Sequence, residues 1–355
     1  MKKKTLINIS IPRISILLLV LVLLMSGCAA PDSAPEKQKE AADTIKVVDM
    51  AGLEVEIPAD TAHNTVATTY GVITPFYVTL NISDRVLATT IKNKAFLRKV
   101  DTDIINTSDI GNRAIDAELL AALSPDILMV RVTDEDKKEV GEQLNIPTVM
   151  VYIETGEQVI EAYELTGKMF GREERAAELI DWIKTEQEHI RELSASIPEE
   201  ERKTVLCLGS TLGKVAGSNM LQVRMIEDAG GLSEVTEVAD DLMWVDVGVE
   251  SVFAKDPEYI FVTSSHPCDY TIDQLYEDSA WSGMRAVKDK HIFYIPAKMD
   301  SWDMPGPAFV LGTYYMMHCM YPELVSTEMM QQKTDEYYQL FYGRTFTGEE
   351  INYYF

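Results

Sequence analysis

The sequence predicts an α/β protein built from two similar lobes joined by one long helix. Three observations carry that prediction. Short apolar strands alternate with helix-compatible segments over residues 44–155 and again over 203–355, the pattern of a mostly parallel sheet covered by helices. Between these regions apolar residues recur at helical spacing, and one helix–loop–strand phrase occurs in both halves. The 355 residues, 46% hydrophobic and 25% charged, suit a globular chain of two domains better than one.

Residues 1–27 stand apart from the fold. Lys2, Lys3, Lys4 and Arg13 precede an apolar run from Ile14 to Met25. As a helix that run would span roughly 18 Å, short of the roughly 30 Å hydrocarbon core, so it reads as a signal peptide and not as a membrane anchor. It ends in Leu24-Met25-Ser26-Gly27-Cys28, which resembles a lipoprotein signal, with Cys28 as the lipidated residue. Met25 stands where Leu is more usual, and the alternative is an ordinary secretory signal. Residues 28–43 are small, polar and Pro-containing, the composition of a flexible tether. The expected location is extracytoplasmic, on a lipid anchor.

The N-terminal lobe, 44–155, contains the strand segments IKVVDM, TVATTY, RVLATT, DILMVR and PTVMVYI. The bridge, 156–202, carries Ala176, Ile180, Ile183, Gln187, Ile190 and Leu193 on one helical face. Gly167 and Gly171 are expected to interrupt it and Pro198 to end it. From Arg172 to Ala195 it would rise roughly 36 Å. The C-terminal lobe, 203–355, repeats the alternation with KTVLCLG, YIFVTS and HIFYIP. The echo lies in DAELLAALSPDILMV and VGVESVFAKDPEYIFV, where Glu118 and Glu250 each stand seven residues before a Pro, followed by an acid and an apolar strand.

Charge and motifs narrow the function. Lys and Arg total 32 against 57 Asp and Glu, a formal charge of −25 that falls to −29 once the four cations of residues 1–27 are removed. Such a chain repels nucleic acid. Cys207, Cys268 and Cys319 show no CxxC spacing; Cys207 and Cys319 read as core residues, and a Cys268–Cys319 bridge stays open. His63, His189, His291 and His318 form no metal spacing, and Met316, Met317 and Met320 read as core. No HExxH, GxSxG or GxGxxG occurs, and GSTLGK (209–214) is one residue short of a phosphate loop. The expectation from these motifs is no enzyme, no cofactor and no resident metal, in a monomeric chain.

The segments VVDMAGLEVEIP (47–58), DIGNRAIDAELLAALSPDILMV (109–130), LNIPTVMV (144–151), VESVFAKDPEYIFV (249–262), WSGMRAVKDKHIFYIP (281–296) and the YPE tail (321–323) together resemble the binding proteins of ABC importers for ferric siderophores, haem and vitamin B12. The resemblance covers nearly all of 44–325. It implies two Rossmann-like lobes on a single long helix, ligand in the cleft between them, and delivery to a permease and its ATPase. It also implies that Glu118 and Glu250 dock basic pockets of the permease; read alone, each is an exposed acid near a helix N-terminus. An iron-siderophore or similar metal chelate is the expected ligand, with haem, cobalamin and an oxyanion such as molybdate as alternatives. An exported chelatase-like enzyme is the alternative of another class, and a surface adhesion or sensor module a third.

Ligands of α/β lobes sit beyond the carboxyl ends of the strands. That places Thr69, Tyr70, Asn112, Arg113 and Arg131 as ligand-binding candidates in the first lobe, and Asn219, Arg224, Trp244, His266 and Trp302 in the second. Aromatics with Arg and hydroxyl groups suit a bulky, partly anionic chelate. His266 could ligate a metal centre.

Overall fold

The computed structural model describes residues 43–90, 94–111, 113–234, 244–297 and 300–351. Residues 1–42, with Cys28 and most of the tether, and Asn112 lie outside the described residues.

A hairpin, β1 (Thr44–Val48) and β2 (Glu54–Pro58), opens the described chain. Asp49 organises its turn by accepting from the amides of Ala51 and Leu53, and its second oxygen accepts from the Met150 amide, which pins the hairpin to the first lobe. The first lobe then runs β3 (Val66–Thr68), α1 (Thr74–Thr79), β4 (Val86–Thr89), α2 (Lys94–Val100), α3 (Ala117–Leu123), β5 (Ile127–Arg131), α4 (Glu135–Gln143) and β6 (Thr148–Val151). Its four strands pair in parallel in the order β4-β3-β5-β6. Ile127 to Val130 are fully buried, as expected of a parallel strand covered on both faces.

The bridge is two helices, α5 (Gly156–Phe170) and α6 (Glu173–Ala195). Gly171 separates them in the left-handed region at φ 62, the conformation that favours glycine at a helix end. Gly167 does not interrupt anything. It lies inside α5, where a Cβ would fall 2.7 Å from that of Ala176, so the absent side chain lets α5 and α6 touch.

The second lobe contains β7 (Thr204–Leu208), β8 (Lys214–Ala216), α7 (Leu221–Asp228), β9 (Leu232–Ser233), β10 (Trp244–Asp246), α8 (Val249–Lys255), β11 (Tyr259–Val262), α9 (Ile272–Glu277), α10 (Arg285–Lys288) and β12 (Ile292–Tyr294). The sheet order is β10-β8-β7-β11-β12, with β9 beside β7. β7, β9, β11 and β12 are parallel; at one edge β8 runs antiparallel to β7, and β10 runs antiparallel to β8. Three helices follow: α11 (Phe309–Met320), α12 (Thr327–Tyr342) and α13 (Gly348–Ile351).

The sequence echo is a structural repeat. α3 and α8 each end on a non-glycine left-handed residue, Ser124 (φ 47) and Asp256 (φ 42), before a buried proline and a strand in the middle of its sheet. The acid after each proline ties that strand to the start of its neighbour. Asp126 accepts from the Thr65 amide (2.9 Å) and hydroxyl (2.7 Å), while its own amide donates to Thr65 Oγ1 (3.1 Å). Glu258 makes the same three bonds with Thr204, at 3.1, 3.4 and 3.1 Å.

Each sheet has an outer face with its own small apolar cluster. The inner faces share one larger core, which runs from Phe76 and Tyr77 through α5, α6, α11 and α12 to Cys207 and Phe261. Two lobes on a helical bridge therefore share continuous packing. A buried polar knot fastens the bridge to the last helices: Glu186 of α6 accepts from Tyr314 of α11 (2.6 Å) and Lys333 of α12 (2.8 Å), and His189 pairs with the same tyrosine hydroxyl (2.7 Å).

Candidate functional site

A cavity of about 290 Å³ lies where the carboxyl ends of the two sheets face each other. The first lobe lines it with Gly71, Val72, Thr74 and Pro75 after β3, and with Phe96 and Leu97 of α2. The second lobe supplies Ser265 and His266 after β11, Asp300 and Ser301 after β12, and Met304 to Ala308. Gly71 is there for closeness: a Cβ would sit 2.3 Å from the Thr90 carbonyl oxygen. The wall is apolar with a few convergent polar groups, the usual character of a small-molecule site.

One acid lies on the second-lobe wall and a second is buried behind it. Asp300 accepts from the Tyr337 hydroxyl at 3.0 Å, and burial raises its carboxyl to about 7 despite that bond. Asp303 is fully buried behind the wall and accepts a short hydrogen bond from Thr263; burial raises it to about 6. Thr263 Oγ1 lies 3.0 Å from Ser265 Oγ, which lies 3.2 Å from Nδ1 of His266. Phe96 is backed from below by Tyr338, Tyr342 and Phe346, with ring centroids 6.0, 5.0 and 5.8 Å away.

Of the ten residues expected to bind ligand, His266 lines the cavity, exposed at its rim. Trp302 is fully buried, donating from Nε1 to the Tyr338 hydroxyl (3.1 Å) and meeting Tyr315 edge-on. Thr69, Tyr70 and Arg131 do come together, beyond the ends of β3 and β5. Tyr70 is buried and donates to the Ile153 carbonyl (3.2 Å), and burial followed by the Glu154 charge raises its hydroxyl. The Arg131 guanidinium pairs with Glu154 (3.0 Å), with the Tyr70 and Tyr152 rings 6.0 and 5.5 Å away. Arg113 is exposed. Arg224 is exposed on α7, pairs with Glu227 (3.1 Å) and borders a separate depression beside Thr155 and Asp228. Asn219 is half-buried just before α7, and Trp244 packs over Gly209.

Sequence reasoning passed over Asp300, Asp303 and Phe96. The two acids flank the tryptophan of DSWDMPGP, a loop singled out for its aromatic residue. Phe96 had no signal, because its distance from β11 and β12 in the chain hides their proximity. Glu118 and Glu250 are both exposed in the first turns of α3 and α8. Cys207, Cys268 and Cys319 are free thiols, so the open question of a Cys268–Cys319 bridge is answered by two unpaired cysteines. Among the described residues no helix is long and apolar enough to cross a membrane.

The model of the periplasmic binding protein family matches residues 60–299, which include both sheets and the bridge. The chain belongs to that family. Among curated relatives, the molybdate-binding protein MolA of Haemophilus influenzae is 23% identical over 256 residues, 66% of this chain and 71% of MolA. The ABC transporter substrate-binding lipoprotein YvrC of Bacillus subtilis is 21% identical over 321 residues, 86% of this chain and 96% of YvrC. Among solved structures, a periplasmic solute-binding protein from Veillonella parvula superposes with a TM-score of 0.75 at 22% identity, covering 87% of this chain and 96% of that one. Molybdate-bound MolA gives 0.72 at 20%, covering 85% and 99%. Helicobacter pylori CeuE in its nickel–histidine complex gives 0.72 at 18%, covering 87% and 98%. The periplasmic binding protein family comprises substrate-binding proteins of ABC transporters, and the fold is its two-lobed form on a helical bridge.

Proposed function

We propose that this periplasmic binding protein captures a compact metal chelate in the cleft and hands it to the permease of an ABC importer. The observation that carries the ligand class is the cavity wall. Among the described residues it holds no Arg or Lys, while it presents the His266 imidazole, the Asp300 carboxylate and several apolar side chains. A carboxylate in a partly dehydrated wall favours a cationic centre, and an imidazole is a common ligand of transition metals. The volume lies at the small end of the ~300–1,000 Å³ typical of ligand sites, which suits a small chelate.

Glu118 and Glu250 sit on equivalent helices of the two lobes, and we assign them the permease contact: two exposed carboxylates on rigid supports suit a partner that presents Arg residues at matching separation. Cys28 is the proposed lipid anchor. An oxyanion is the second reading, favoured by the likeness to MolA, which binds molybdate.

A thermal-shift panel of ferric siderophores, ferric citrate, nickel with histidine, haem, cobalamin and molybdate tests the assignment. A ligand at 100 times its Kd adds ~2.7 kcal/mol, several degrees for a chain of this size. The expected result is a rise with a metal chelate that His266→Ala abolishes. A rise with molybdate alone overturns the chelate reading in favour of the second.

A further inference from the structure

We infer that buried Asp303, acting through the hydroxyls of Thr263 and Ser265, holds His266 as its Nδ1–H tautomer and leaves Nε2 as the lone-pair donor facing the cleft. The argument is proton counting. A carboxylate only accepts, a hydroxyl has one proton to donate, and a neutral imidazole has one N–H and one lone pair. Asp303 takes the Thr263 proton. Thr263 Oγ1 can then only accept from Ser265, 3.0 Å away, and Ser265 Oγ can only accept from Nδ1 of His266, at 3.2 Å. With the proton on Nδ1, Nε2 is free to bind a metal.

The starting point of the chain is fixed. Asp303 and Thr263 are 0% and 3% exposed, so water does not compete for the first bond. The Asp303 carbonyl accepts from Gln222 Nε2 (2.8 Å), and the Thr263 carbonyl accepts from the Cys268 thiol (3.3 Å), which holds both backbones in place. Asp303 is a positioning residue: it touches neither the cavity nor His266 directly. Metal-ligating histidines generally donate their other ring N–H to a carboxylate or carbonyl; here the carboxylate is two hydroxyls away.

The consequence for ligand rests on the metal-chelate reading, but the tautomer itself is measurable on the protein alone. Histidine labelled with ¹⁵N reports it directly by proton–nitrogen correlation at pH 8.5. The expected pattern for His266 is Nδ1–H. Ser265→Ala, a half-buried change that leaves Thr263 and Asp303 paired, should remove it, as should Thr263→Val, which takes away the acceptor that orients Ser265. Ser265→Thr should retain it. Signals of His189 and His318 should stay in place and report an intact fold. Nδ1–H persisting in Ser265→Ala, or Nε2–H in the unaltered protein, overturns the relay. Titration with ferric citrate separates the two claims. Binding at His266 weakened ~10–100-fold by Ser265→Ala, the usual effect of losing such a support, upholds both. If the tautomer responds and neither ferric citrate nor any other chelate of the thermal-shift panel moves His266, the relay stands and the chelate reading falls.

Discussion

Asp300 and Asp303 show how burial governs charge at the scale of one residue. Both carboxyls sit above the ordinary carboxylate range, at about 7 and about 6, because dehydration penalises the charged form more than their single side-chain donors favour it. The sign for stability follows. Between the ordinary range near 4 and these raised values, the folded chain binds more protons than the unfolded one, so these groups make stability fall as pH rises from about 4 to about 7, with no further change above. Urea unfolding of Asp300→Asn at a series of pH values should show a shallower fall over that window than the unaltered protein. An unchanged slope would mean that the carboxyl is not dehydrated. Tyr338→Phe removes the acceptor of the buried Trp302 Nε1–H and should cost roughly 1–3 kcal/mol, the penalty for an unsatisfied buried donor, read from the urea midpoint.

At the scale of elements, the contact between α5 and α6 rests on Gly167. A glycine inside a helix normally costs ~1 kcal/mol relative to alanine, so Gly167→Ala on an open face would stabilise. Here the new methyl would lie 2.7 Å from the Ala176 methyl, and overpacking of that kind costs roughly 1–3 kcal/mol. The expected outcome is net destabilisation in urea, largely relieved by pairing Gly167→Ala with Ala176→Gly; a more stable single variant would show that the helices part freely. Helical periodicity marked the buried face of α6 but not this role, since spacing shows that a glycine interrupts a pattern without showing what packs against it. Gly171 was legible as a stop because its left-handed φ is a local property. The reversed strand β8 and its partner β10 were not legible, because strand direction is set by pairing across the sheet.

For the whole molecule, the inner core continues without a break from one sheet through α5, α6, α11 and α12 to the other. Large opening would expose that apolar surface at ~25 cal/mol per Å², so closure on ligand should be modest. Small-angle scattering should give nearly the same radius of gyration with and without ligand, and a change typical of wide domain closure would contradict the continuous core. The two exposed acids belong to this scale as well. Glu118→Ala with Glu250→Ala should abolish uptake and leave ligand affinity unchanged; lost affinity would remove the docking assignment.

The alternation of strands and helices, the bridge, the repeat that carries Glu118 and Glu250, and the membership of a known family were all determined by sequence, because each is a pattern of local spacing or of ordered short motifs. Only tertiary structure decided what lines the cleft. The loop after β3, the first turn of α2, the ends of β11 and β12 and the segment 300–308 are far apart in the chain and meet only when two sheets face each other. The same assembly enclosed Trp302 and paired Arg131 with Glu154. It also put Asp300 and His266 on one wall, with Asp303 buried behind it. Burial and partner choice are properties of the packed molecule, and a residue's type and its neighbours in the chain carry little of either.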